Sequence, residues 1–320
     1  MKRLCIIGAL PESSFVGGVT IHVQRLLQGL DAKGISYEFI DYKKVGVPKA
    51  CLFLLRHRGC VHIHVTNPIL LIIFVICCKL SLSRCIFTLH ANHGRFAGVK
   101  NLCLYMALHL SDVPILINQL SYEVYKRVNK HAQYIPAFIP PVNEPPLPEN
   151  VRNQIAACKQ RGLPIISTNA SKTAVDKYGN DIYGIEFLAD YFTAHNGFTL
   201  LVSDPKGGYK RKLSPCSENI VFIDQPHSYF ELLKSIDVFV RNTSTDGDAL
   251  SVKEALYLGK PTLCSDVVDR PKGTILFSYS DSDSFTKALG EVMAFDKGNN
   301  GIDEQCDVVK ELIKLYRHDE

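Results

Sequence analysis

The feature that most constrains this chain is an alternation, made twice, of short apolar β-rich runs with helix-like segments. In the first half the runs RLCIIGAL, SYEFIDY, CVHIHV, RCIFTLH and VPILINQ are interleaved with segments such as TIHVQRLLQGLDAKG and PILLIIFVICCKL. Strands this apolar are buried on both faces, and strands joined through crossover helices pair in parallel, so the pattern predicts a parallel sheet with helices on both sides. The helix from Thr20 is expected to stop at Lys33-Gly34, a basic last turn followed by glycine. The second half repeats the alternation in LPIISTNA, FTLLVSD, NIVFID, DVFVRNT, KPTLCSD and TILFS. Between the halves, PAFIPPVNEPPLP (136–148) holds six of the sixteen prolines. Proline can neither continue a helix nor join a central strand, so this segment is a linker. The expected architecture is therefore α/β, with a first Rossmann-like doubly wound domain over 1–145 and a second over 146–320. The second is expected to end in an amphipathic helix carrying Val308, Val309, Leu312, Ile313, Leu315 and Tyr316. Two such domains can place the carboxyl ends of both sheets on one cleft.

Composition excludes several classes. The start MKRLCIIGALP is too short and lacks a small-residue cleavage site, so it reads as a first buried strand rather than a signal peptide. The longest apolar run, ILLIIFVICC from Ile69 to Cys78, is about half the ~20 residues needed to span a bilayer and reads as a buried core helix. The eleven cysteines show no C-x-x-C and mostly sit in apolar runs, which fits buried thiols in a reducing cytosol. Charge is uneven: residues 1–148 hold 16 Lys/Arg against 7 Asp/Glu, a net of +9, whereas residues 149–320 hold 20 against 25, a net of −5. A basic half suits an anionic ligand, an anionic lipid surface or nucleic acid, but no recognition-helix motif or stacking array supports nucleic acid. No G-x-G-x-x-G follows the first strand, which argues against dinucleotide oxidoreduction.

The chemistry concentrates in STDGDALSVKEALYLGKP, from Ser244 to Pro261. An apolar strand runs into a glycine-containing turn, and a helix then begins near Ala249 to Ser251. Free backbone N–H groups at a helix start, with the positive end of its dipole, suit a phosphate. Glu254 in the first turns of that helix can accept hydrogen bonds from paired hydroxyls such as those of a ribose, with Asp246 in the preceding loop facing a further hydroxylated group. The plainer alternative makes Asp246 or Asp248 an N-cap and Glu254 a compensating surface charge. Elsewhere, Gly17-Gly18 precedes a helix and could let backbone approach a phosphate or an acceptor. His90 ends a strand, with His93 and Arg95 on the same loop, and Lys172 and Lys177 follow the first strand of the second half. Asp281-Ser282-Asp283 has the spacing of an Asp-x-Asp metal motif but lies in a polar loop and reads as an N-cap cluster.

In that order these segments resemble the retaining GT-B glycosyltransferases, especially glycosyltransferase family 4. Asp246 and Glu254 stand at the two acidic positions of the family's E-x7-E signature, and the resemblance covers essentially the whole chain. It implies a GT-B fold with two Rossmann-like domains facing an interdomain cleft. It implies that Glu254 binds the ribose of a nucleotide sugar, that Asp246 contacts the donor hexose, and that Gly247, Asp248, Ala249, Leu250 and Ser251 lend backbone groups to sugar and phosphate. Gly17 and Gly18 match the glycine-rich loop, His90 the histidine that contacts the donor sugar near the reacting carbon, and His93 and Arg95 could touch the acceptor. Lys172 and Lys177 stand where the family carries an arginine and a lysine beside the leaving diphosphate. The chain departs from the pattern in having Asp at 246, Lys at 172 and Arg270-Pro271 in place of a glycine-rich loop. The implied reaction is transfer with retention by front-face attack, with no metal and no cofactor beyond the donor substrate. The expected acceptor is a saccharide, possibly linked to a polyprenyl diphosphate, in the assembly of a cell-surface polysaccharide. The expected location is cytoplasmic, peripheral on the inner face of the membrane. A nucleotide-sugar epimerase of the same build, or a non-catalytic nucleotide-sugar or glycan-binding protein, are the competing readings.

Overall fold

Both sheets form, and every strand pairing in them is parallel. The computed structural model describes residues 3–11, 17–176, 178–246, 249–294 and 307–317. The chain divides into two compact units, Met1–Val142 with Cys306–Glu320, and Asn143–Gln305.

Unit 1 runs β1 (Leu4–Gly8), α1 (Gly18–Ala32), β2 (Glu38–Asp41), α2 (Tyr42–Val45), α3 (Val47–Arg56), β3 (Cys60–Ile63), α4 (Pro68–Leu80), β4 (Arg84–Leu89), α5 (Gly98–Leu110), β5 (Val113–Leu116), α6 (Gln119–Tyr125) and β6 (Gln133–Tyr134). Its strand order is β2-β1-β3-β4-β5-β6. Unit 2 runs α7 (Glu149–Gln160), β7 (Ile165–Asn169), α8 (Ile185–Ala194), β8 (Thr199–Ser203), α9 (Gly208–Leu213), β9 (Ile220–Ile223), α10 (Tyr229–Leu233), β10 (Val238–Arg241), α11 (Leu250–Tyr257), β11 (Thr262–Ser265), β12 (Thr274–Phe277) and α12 (Ser282–Ala294). Its order is β12-β11-β10-β7-β8-β9. The order reverses between β1 and β3 in unit 1 and between β7 and β10 in unit 2. In open parallel sheets such a reversal opens a crevice at the carboxyl ends of the strands, where ligands bind.

Each sheet separates two apolar layers. In unit 1, Ala50 and Leu54 of α3, Phe74 and Val75 of α4 and Leu104 and Leu108 of α5 pack with Cys5, Ile7, Val61 and Phe87 on one face. On the other face, Val23, Leu26 and Leu30 of α1 pack with Ile6, Ile86 and Ile115. The final helix, α13 (Val308–Arg317), joins this second layer. It therefore belongs to unit 1, a correction to its assignment with the second domain. An amphipathic pattern says that one face is buried but not against what. The partner is α1, where Gly29 leaves the space that Val309 fills: a Cβ there would lie 2.7 Å from Val309 Cγ2. Val308, Val309, Leu312, Ile313 and Tyr316 are buried, each worth roughly 1.5–3 kcal/mol. Lys33 Nζ also meets Asp307 Oδ2 at 2.8 Å.

The stop at Lys33-Gly34 holds, with Gly34 at φ +66 just past the helix end. The linker is free of helix and strand from Ile135 to Pro148. Its first part buries Ile135 and Ile139 in unit 1, and its last part lays Leu147 on unit 2. In α4 the Asn67 side chain accepts from the Ile69 N–H and Pro68 takes the first turn, where its missing N–H costs nothing. The helix is not wholly buried, contrary to the expectation for ILLIIFVICC. Its inner face is in the core, but Ile69, Ile73, Ile76 and Leu80 are exposed. Asp281 does cap α12, accepting from the Ser284 N–H at 2.7 Å. The ten described cysteines are free thiols.

Candidate functional site

Two polar centres form at carboxyl ends of strands, one in each unit. In unit 1 the period-two side-chain alternation, carried one residue past the end of β3, puts His62 and His64 on the same side, their ring centroids 4.1 Å apart, and His90 follows the end of β4 beside them. His64 Nδ1 and His90 Nε2 are 3.2 Å apart. The His22 ring of α1 stands edge-on to His90, with centroids 4.9 Å apart. The His22 Nδ1–H donates to the Ala137 carbonyl at 2.7 Å, and since that carbonyl only accepts, the lone pair of a neutral His22 falls on Nε2. His62 is fully engaged by the Tyr316 hydroxyl at 2.6 Å and the Thr88 hydroxyl at 2.8 Å. Burial, reinforced by neighbouring imidazoles, pushes His62 down to about 3 and holds His64 and His90 well below the usual histidine value. All three are therefore neutral at physiological pH. Among the described residues, His22, His64 and His90 are a group that could hold a metal ion, with one ring nitrogen from each lying within 4.8 Å of the others.

The remaining unit 1 candidates are distributed around this cluster. Gly17 is the N-cap of α1, where Thr20 Oγ1 accepts from its N–H and donates to its carbonyl. A Cβ on Gly17 or Gly18 would meet nothing within 4 Å, so packing does not require either glycine and the backbone there stands open to approach. His93 does not join His90. Its N–H donates to Ser121 Oγ at 2.9 Å and its ring rests edge-on to Tyr125. Arg95 is exposed on the same loop.

In unit 2 the switch point between β7 and β10 is occupied by an ion-pair network. Arg241, the last residue of β10, grips Asp246 with both prongs of its guanidinium, Nε to Oδ2 at 3.0 Å and Nη2 to Oδ1 at 3.2 Å. Its Nη1 reaches across to the carbonyl and the side-chain oxygen of Asn169 at the end of β7, and its face lies over the Tyr183 ring at 5.3 Å. Arg270 adds a second cation, with Nη1 2.8 Å from Asp246 Oδ2 and its other nitrogens bonded to the Ser265 carbonyl and to the Thr243 and Ser265 hydroxyls. The side chains of Arg241, Asp246 and Arg270 are only 12%, 8% and 2% exposed. Burial alone would raise the Asp246 carboxyl, but the Arg241 and then the Arg270 guanidinium outweigh it and hold it below the usual carboxylate value.

The helix expected after this loop starts at Leu250, with Ala249 as an N-cap that makes no side-chain bond. Asp246 is thus an ion-pair residue and not the N-cap of the plainer alternative. Ser251 and Glu254 are buried on α11, and the Glu254 charge helps raise the hydroxyl pKa of the buried Tyr229, after burial itself. Tyr229 meets Ser167 Oγ at 3.1 Å. Lys172 is exposed in the loop after β7. Lys177, Gly247 and Asp248 lie outside the described residues. Sequence reasoning missed His22, His62, His64, Arg241 and Tyr229. Two signals were available: the H-x-H alternation within CVHIHV, and a charged residue closing the apolar strand DVFVR.

No protein-family model matches the chain, and no protein of curated function matches it. Solved structures do. The Anabaena protein HepE in complex with UDP and glucose is 10% identical, with a TM-score of 0.66 over 99% of this chain and 95% of that one. Sucrose-phosphate synthase from Thermosynechococcus elongatus is 16% identical, with a TM-score of 0.69 over 99% of each chain. The lipopolysaccharide outer core galactosyltransferase WaaB, in its apo form, is 13% identical, with a TM-score of 0.60 over 99% of this chain and all of that one. At these identities the likeness is one of fold. Along almost its whole length the chain has the GT-B fold of these glycosyltransferases, two Rossmann-like doubly wound domains in succession.

Proposed function

We propose that the protein is a retaining glycosyltransferase that moves a hexose from a nucleotide-diphospho-sugar to a saccharide acceptor, as glycosyltransferase family 4 enzymes do. The observation that carries this reading is the carboxyl edge of the unit 2 sheet. A strand end, a loop and the start of α11 follow one another there at the switch point, with Glu254 buried on the helix. In this scheme Glu254 accepts from the ribose hydroxyls. The backbone at Gly247 to Ser251, together with Lys172 and Lys177, receives the diphosphate, whose charge grows as the glycosidic bond breaks. Asp246 serves the donor through Arg241 and Arg270, since its carboxylate already accepts from both. Gly17 and Gly18 stand open at the start of α1, and His90 contacts the transferred sugar as a neutral imidazole, with His93 and Arg95 on the acceptor side. The bond from the anomeric carbon to the phosphate oxygen breaks, the acceptor oxygen bonds to the same face, and its proton passes to the departing diphosphate. The protein's share is positioning and charge stabilisation.

The acceptor we propose is lipid-linked, in cell-surface polysaccharide assembly, with the protein peripheral on the cytoplasmic membrane face. The net +9 of the first half supports it. Incubation with a panel of nucleotide sugars, beginning with the UDP-glucose that HepE binds, should release nucleoside diphosphate faster when a polyprenyl-diphosphate saccharide is present. Release unchanged in Glu254→Ala and Lys177→Ala would overturn the assignment. Conversion of the donor sugar to its epimer would favour the epimerase reading, and binding without any release would favour a non-catalytic binder. We further propose that no metal is needed. Turnover should persist in EDTA, whereas its loss and recovery with Zn²⁺ would make His22, His64 and His90 a metal centre.

A further inference from the structure

The helix layer on one face of the unit 1 sheet leaves an apolar surface uncovered. On α4, Ile69, Ile73, Ile76 and Leu80 recur at helical spacing and are exposed, and on α5, which packs against α4, so are Val99, Leu102, Met106 and Leu110. A helix apolar on all sides is ordinarily enclosed by protein or lipid, and no described part of the chain covers the outer face of α4. At 13 residues it is about 20 Å long, against a hydrocarbon core of about 30 Å, and no described helix is long and apolar enough to cross a membrane.

Two further observations say what covers this face. From Tyr42 to Ser111 the chain has nine Lys/Arg and no Asp or Glu. Arg58 just beyond α3, Arg95 in the loop before α5 and Lys100 in the first turn of α5 are exposed, as are Lys49 and Arg56 on α3, which line a cleft with Glu38. Two copies meeting through this face would bring cations against cations, whereas an anionic surface complements them. The second observation is Leu82, just past the end of α4. It has φ +59 and is 84% exposed. A leucine is strained in the left-handed region, where glycine or asparagine ordinarily ends a helix, and here no packing within the fold offsets that strain.

We propose that the outer face of α4 and α5, tipped by Leu80, Leu82, Val99 and Leu102 and carried by this cation-rich stretch, seats on an anionic lipid surface with both helices lying in the interface. Apolar side chains enter the boundary between headgroups and acyl chains while Lys and Arg meet lipid phosphates. This deepens the membrane placement proposed above and gives it a specific surface. Vesicle binding needs neither donor nor acceptor, so its failure and the failure of the transfer reading are distinguishable.

The test is flotation of the full chain with vesicles of phosphatidylethanolamine and phosphatidylglycerol, compared with phosphatidylcholine alone. Binding should favour the anionic vesicles and weaken from 0.1 to 0.5 M NaCl, an interval that shortens screening from about 10 Å towards 3 Å. The combined variant Leu80→Ser, Leu82→Ser, Val99→Ser and Leu102→Ser should bind at least about tenfold more weakly, given roughly 0.8 kcal/mol for each buried CH₂. Leu82→Gly guards against misfolding as the cause. It relieves the strained backbone, so its melting temperature should equal or exceed the wild-type value while vesicle binding falls. Equal binding to both vesicle types, no binding to either, or a dimer abolished by the same substitutions would each overturn the proposal.

Discussion

Asp246→Ala should lower the melting transition of unit 2 by about 10 °C at neutral pH. Two buried guanidinium groups share this one carboxylate, so removing it leaves two like charges desolvated and facing each other. Breaking a buried pair by deleting one partner costs about 3–5 kcal/mol, and each kcal/mol shifts a unit of this size by roughly 2–4 °C. Arg270→Met should cost less, because Asp246 and Arg241 then remain as a neutral, bidentate pair. The pH dependence carries a sign. The folded Asp246 carboxyl lies below its unfolded value, so its contribution is fully present above the ordinary Asp value of about 3.9 and is lost as pH falls through the folded value. Calorimetry from pH 7 downward should show a constant gap between wild type and Asp246→Ala until about pH 4, and a narrowing gap below it. Equal melting temperatures at pH 7 would show that the arginines do not depend on Asp246.

This network also marks where sequence reading stops. The alternation of apolar runs and helical segments was sufficient for two parallel sheets, because burial on both faces and crossover connections leave few other arrangements. The start of α11 followed from local pattern, but the burial of Glu254 did not. Nor did the partner of Asp246. Arg270 lies 24 residues away on a loop after β11, and only the pairing of β10 with β11 brings the two together. The same holds for His22, His64 and His90, which come from a helix and two strand ends, and for Tyr316, whose hydroxyl reaches His62 across 254 positions. Periodicity reports which face of an element is buried. It does not report which element buries it, so the pattern alone places α13 with the second domain and the outer face of α4 in the core, which the structure corrects.

Glu254→Gln should weaken equilibrium binding of UDP, the nucleotide in the HepE complexes, by roughly 10- to 100-fold. A hydrogen bond to a charged group contributes about 1.5–3 kcal/mol, and each 1.4 kcal/mol is tenfold in affinity. Gln keeps the volume and one acceptor oxygen, so the buried position on α11 stays filled and the change reports charge. The ligand series separates this role from that of the cations. If Glu254 holds the ribose, its substitution should reduce uridine and UDP binding by the same factor, since both carry that sugar. Lys172→Ala, at an exposed position after β7, should instead weaken UDP and leave uridine unchanged, because a point charge acts on phosphate alone. Isothermal titration with the two ligands needs no acceptor and no turnover. A Glu254→Gln protein that melts earlier but binds both ligands as wild type would make the residue a structural anchor of α11 and remove the support on which the donor site rests.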